Sequence, residues 1–136
     1  FRVDGSWMSL NHLSSERLLA SFQTPLIHIG LNKGSLGSPQ LQYWQKSKVD
    51  RQLKATLRKY LQTQEGAQKT TNGWAINELF LTNKDDFIDW STADTLCEFL
   101  EPYAKDDFQA WLKEEKNCSL EILPHDWSLN QAPIFP

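Results

Sequence analysis

The chain is poor in the residue types that would name a chemistry. Its 136 residues include only two cysteines, one methionine and three histidines. Cys97 and Cys118 stand 21 apart. Without a CxxC spacing they match neither a paired-thiolate zinc motif nor the framework of a disulfide-stapled scaffold. Both have apolar neighbours, so they read as buried, reduced thiols packing as small hydrophobes. No window approaches the ~18 consecutive apolar residues of a membrane span. There is no Walker loop, no GxGxxG, no HExxH, no GxSxG and no EF-hand loop. The expectation is therefore no cofactor, no metal and no membrane partner.

What is present is ordinary in amount. The chain is 40% hydrophobic and 23% charged, as in a globular domain, and its length suits one domain with a sizeable core. The only methionine, Met8, follows Val3-Asp4-Gly5-Ser6, two dipeptides that common cloning sites encode. Residues 1–7 therefore read as a cloning remnant, and 8–136 as the globular domain. The polar residues after Met8 form no signal peptide, so a cytoplasmic location is expected.

Residues 14–22 have the spacing of a short helix, ended by Pro25. The apolar, branched run 26–31 reads as a strand, and the Gly/Ser-rich 32–39 as a loop. From Val49 a clear helical period carries Leu53, Leu57, Tyr60 and Leu61 towards Gln64. Residues 40–46 fit either helix or strand. The run 74–82 reads as a strand or a short buried helix. Ser91 and Asp94 have capping-box spacing for a helix over 92–101, and a further helix runs from 103 to about 116. Residues 118–123 alternate as a strand, and 125–136 read as an extended tail. Together these predict an α+β fold: one helix-rich domain with a small sheet, expected to be antiparallel.

The net charge of −3 conceals a segregation. Residues 8–72 hold nine Lys/Arg against three Asp/Glu, whereas 73–136 hold four against thirteen. On the helix over 92–101, Asp94, Glu98 and Glu101 fall at i, i+4 and i+7, with Asp85 and Asp89 just before it. Such a surface can steer and hold a basic protein. The leading expectation is thus a non-enzymatic binding module, of the immunity, antitoxin or adaptor kind. The alternative is a nucleic-acid-binding accessory protein. Lys48, Arg51, Lys54, Arg58 and Lys59 share one face, 48–59, of the helix that starts at residue 48, and Trp44 just upstream can stack on a base. Segregated charge also permits self-association of basic half against acidic half. A third reading is an enzyme or small-ligand binder with an aromatic pocket around His28 or His125. In that reading His125 pairs with its neighbour Asp126 as base and orienting group.

Overall fold

The structure is a computed structural model that describes residues 2–3 and 5–130. Two short strands, β1 (Arg2–Val3) and β2 (Ser6–Trp7), pair antiparallel at the start. A helical segment follows, α1 (Leu10–His12) running on into a π-helical stretch, Leu13–Leu19. Ser9 caps it by accepting from the backbone N–H of His12. The helix thus begins several residues before residue 14, where the sequence pattern starts it.

Residues 26–31 do not form a strand. They hold a one-turn helix, α2 (Ile27–Gly30), with His28 and Ile29 buried. Backbone bonds from Ile27 N to Thr24 O and from His28 N to Pro25 O close successive turns around Pro25, and a run this short has no length to favour extension. Residues 40–46 are neither helix nor strand. They lie along α3 (Val49–Tyr60) through bonds from Gln45 N to Gln52 Oε1 and from Gln52 Nε2 to Tyr43 O. Helix α3 buries Leu57 and Tyr60 of its predicted apolar arc, and Thr56 beside them, while Val49 at its start is exposed.

The central sheet is mixed rather than wholly antiparallel. Strand β3 (Ala67–Lys69) pairs antiparallel with β4 (Trp74–Asn77), and β4 pairs in parallel with β5 (Glu121–Leu123). The run 74–82 contains both of its predicted alternatives, because Asn77 ends the strand and caps α4 (Glu78–Thr82), accepting from Leu79 N at 3.0 Å. Helices α5 (Lys84–Asp89), α6 (Leu96–Leu100) and α7 (Asp106–Glu114) complete the layer, with a 3-10 turn over Glu101–Tyr103. The N-cap of α6 is Thr95, not Ser91. The fold is therefore α+β, with helices packed around a small sheet. Its core holds Leu57, Ile76, Phe80, Phe87, Leu96 and Leu100, all essentially inaccessible. Phe80, Phe87 and Phe99 form a chain of tilted rings 5.1–5.5 Å apart.

The cysteines are a correction to the sequence reading. Cys97 and Cys118 are joined as a disulfide, tying α6 to the segment before β5. Their apolar setting is as expected; their reduced state is not. The closed loop spans 21 residues, and loop-closure entropy makes such a bond worth about 3 kcal/mol. Reduction, or the Cys97→Ser/Cys118→Ser pair, is expected to lower the unfolding free energy by about that amount. Urea titration with and without reductant measures it.

Candidate functional site

The loop 32–39 and the tail 125–130 meet as two extended segments. Leu36 N donates to Ser128 O, Gly37 N to Asp126 O and Asn130 N to Gly34 O, and Ser35 forms a β-bridge with Leu129. Gly37 allows the approach: a Cβ there would lie 2.6 Å from the backbone N of Asp126. The Tyr60 hydroxyl, from α3, donates to Gly37 O and anchors the loop from beneath. Burial, aided by nearby Glu65, pushes the Tyr60 phenol well up and keeps it a donor.

This clasp encloses three polar side chains from distant parts of the sequence. Ser35 Oγ lies 2.7 Å from His125 Nε2, and His125 Nδ1 lies 3.1 Å from Asn77 Oδ1. Ser35, His125 and Asn77 are 3%, 8% and 1% exposed. Their protons can be placed by elimination. Asn77 Oδ1 accepts from Leu79 N, and Asn77 Nδ2 donates to Glu65 O at 3.0 Å, so the amide orientation is fixed. An amide oxygen only accepts, so His125 Nδ1 carries the hydrogen. In the neutral ring Nε2 is then a lone pair and accepts from the Ser35 hydroxyl. Ser35 Oγ also lies 2.9 Å from Ser38 Oγ, which accepts from Lys33 N at 3.2 Å. Because the Ser35 proton is committed to the imidazole, Ser38 is the donor of that pair. The bonds run one way: Ser38 to Ser35 to His125, and His125 to Asn77.

Burial holds the His125 pKa below its ordinary value of 6.5, with Lys33 adding to the effect. The unfolded chain then takes up a proton at this site first as pH falls. Stability is full above about pH 6.5 and declines as pH drops towards the lower folded-state value. Unfolding free energies at pH 7.5 and 5.5 are expected to differ in that sense. In His125→Gln this part of the difference is expected to vanish.

Ser38 is half-buried and lines a cavity of about 480 Å³ beside α3. Gln40, Gln42, Lys59, Glu65 and Asn130 share that lining. Ser35 is not among the residues lining it. The ring of Trp127 packs 4.5 Å from His125, and Lys33 lies over its outer side.

The sequence-predicted pairing of His125 with Asp126 is not formed. Asp126 Oδ1 accepts from Ser128 N instead, and hydrogen bonding from the Ser128 side chain and backbone holds its carboxyl below the usual range. His28, the other candidate, bonds Asp86 Oδ2 at 2.8 Å and stacks on Trp90. Neither histidine lines the apolar cavity of about 360 Å³ walled by Leu18, Phe22, Ile27, Trp44 and Leu53.

The acidic residues do not form one helical stripe. Asp94 precedes α6, and Glu98 Oε2 turns back to accept from Asp94 N at 2.8 Å. Glu101 bonds Gln109 and pairs with Lys113 at 3.4 Å. Asp85 and Asp89 are exposed on α5. The basic residues do share α3 and its N-cap, but several are engaged locally. Lys54 pairs with Asp50 at 2.8 Å, Lys59 donates to Gln40 Oε1 at 2.7 Å, and Arg58 lies over the Tyr103 ring. Lys48 and Arg51 are exposed, while Trp44 is half-buried in the apolar cavity wall. Among the described residues, no group of three or more His, Cys, Asp or Glu is placed to hold a metal, and no helix is long and apolar enough to cross a membrane. The tail is described only to Asn130, so its expected extended form over 131–136 lies outside the described residues.

Residues 3–61 match a family model described as a protein of unknown function, DUF547. That stretch contains Ser35, Ser38 and α3, but neither Asn77 nor His125. No curated protein and no solved structure matches the chain.

Proposed function

We propose that the domain is a serine-type acyl hydrolase, with Ser38 as nucleophile, Ser35 as proton relay, His125 as general base and Asn77 as the group that orients it. The observation that carries this reading is the unbroken chain of short polar contacts from Ser38 through Ser35 and His125 to Asn77, whose direction follows from the Asn77 amide. A base needs its lone pair aimed at the proton it will take and its other nitrogen fixed by an acceptor. Desolvation, which lowers the imidazole pKa, keeps that lone pair available at neutral pH.

Ser38 rather than Ser35 is the attacking group because of access. Ser35 is buried and its loop is spent on the tail, whereas Ser38 lines the cavity. On attack, Ser38 Oγ bonds to the acyl carbon. Its proton passes to Ser35 Oγ as the Ser35 proton moves to His125 Nε2. The imidazolium is stabilised at Nδ1–H by Asn77 Oδ1. When the leaving group departs, the proton returns through Ser35 to its oxygen or nitrogen. Water then attacks the acyl carbon, giving a proton through Ser35 to His125, and the proton returns through Ser35 to Ser38 Oγ as the acyl–serine bond breaks.

The disulfide adds a compartment to this reading. Such bonds persist in oxidising environments, so we propose that the domain works in one rather than in the cytoplasm. The experiment on the reaction is a pre-steady-state assay with p-nitrophenyl acetate. The expected result is a burst of nitrophenol near one equivalent, with an acid limb below pH 6.5. Hydrolysis no faster than in buffer would overturn the reading.

A further inference from the structure

We propose that Lys59 and Gln40 form a carboxylate-binding subsite in the Ser38 cavity, so that the acyl substrate carries a carboxylate away from the scissile bond. This rests on the hydrolase reading for the word substrate, but the subsite itself stands on the cavity geometry. Lys59 Nζ donates to Gln40 Oε1 at 2.7 Å, and both residues line the cavity that Ser38 lines. An ammonium has no acceptor, so the Gln40 amide is oriented with its oxygen to Lys59 and keeps both of its own hydrogens. Lys59 keeps two. The pair therefore presents a cation and, on the far side of the bonded Gln40 oxygen, a neutral N–H donor, two groups that can each take one oxygen of a carboxylate.

The other polar groups nearby do not compete for that role. Gln52 spends its oxygen on Gln45 N and its nitrogen on Tyr43 O, and Gln42 Nε2 is bonded to Thr56. Glu65 lines the cavity, yet among the described residues Lys59 makes no ion pair. The other two cations near the end of this helical face are turned elsewhere, Lys54 to Asp50 and Arg58 to the Tyr103 ring. Lys59 is thus the cation of α3 that faces the cavity with a neutral partner only.

The test separates binding from turnover. Succinate, which carries no scissile bond, is titrated into the 15N-labelled protein. Shifts are expected at the Gln40 side-chain amide and at the Lys59 backbone, saturating at millimolar concentration. Lys59→Gln is expected to weaken this binding about tenfold or more, the scale of one charge-assisted hydrogen bond. Lys59→Arg is expected to retain most of it, and Arg51→Gln, an exposed cation on the same helix, all of it. In turnover, mono-p-nitrophenyl succinate is expected to have a kcat/KM about tenfold above that of p-nitrophenyl acetate, a preference lost in Lys59→Gln. Succinate binding without hydrolysis of either ester overturns the hydrolase reading and leaves the subsite standing. Hydrolysis without preference, or succinate shifts unchanged in Lys59→Gln, overturns the subsite.

Discussion

Ser38→Ala and His125→Gln are each expected to lower kcat/KM for p-nitrophenyl acetate by about 10²–10⁴, the contribution of a positioned base and its nucleophile. The two losses are not expected to add, because each variant disables the same proton chain. Ser35→Ala is expected to fall in the same range, since it removes the hydroxyl between Ser38 and the imidazole. Ser35→Thr, which keeps a hydroxyl, is expected to recover part of the rate. This series separates chemistry from support. Ser38 is half-buried at a cavity wall, so its alanine variant keeps the fold and loses only the reaction. A purely structural clasp predicts the opposite order. It makes His125→Gln and Ser35→Ala less stable and leaves every variant with the same background hydrolysis.

Asn77→Ala carries the largest expected effect on stability, about 4 kcal/mol. Asn77 is 1% exposed and makes three hydrogen bonds, to Leu79 N, Glu65 O and His125 Nδ1. Loss of the helix cap alone costs about 1 kcal/mol. The buried His125 N–H and the Glu65 carbonyl each lose a partner, at about 1–3 kcal/mol apiece. Asn77→Asp restores an acceptor for both N–H donors but buries a charge and sets a carboxylate oxygen against the Glu65 carbonyl, so it too is expected to destabilise the fold, by a similar amount. The added negative charge beside Nδ1 favours the imidazolium, which moves the acid limb of activity to higher pH. Guanidinium titrations and a pH profile of the same two variants check both statements.

Long periodic elements were legible in the sequence and short ones were not. Helix α3 follows its apolar arc because twelve residues give the period room to repeat. The run 26–31 offered four apolar or branched positions, Leu26, Ile27, Ile29 and Leu31, but no length, and local turns around Pro25 decided it as a helix. In 74–82 the deciding residue was Asn77, a polar side chain inside an apolar run. There it ends a strand, caps a helix and orients His125. The disulfide was hidden because the spacing of two cysteines 21 apart says nothing about which segments lie side by side.

The site was legible only in part. His125 entered only in the third sequence reading, beside His28 and paired with Asp126, whereas the structure bonds its Nδ1 to Asn77, 48 residues away. Ser35, 90 residues from His125, carried no motif. The available clue was the Gly34-Ser35-Leu36-Gly37-Ser38 cluster, whose glycine at 37 permits the close approach of the tail. The acidic spacing of Asp94, Glu98 and Glu101 presumed a helix that starts at Ser91. With the cap at Thr95, one of the three precedes α6 and the other two take part in bonds within the chain.

Covalent labelling with a fluorophosphonate probe, followed by peptide mapping, tests the central claim most directly. The account predicts one adduct on the peptide that carries Ser38, formed slowly at pH 5.5 and faster at pH 7.5, and strongly reduced in Ser35→Ala and in folded His125→Gln. No adduct at Ser38, or labelling there at an unchanged rate in folded His125→Gln, would contradict it.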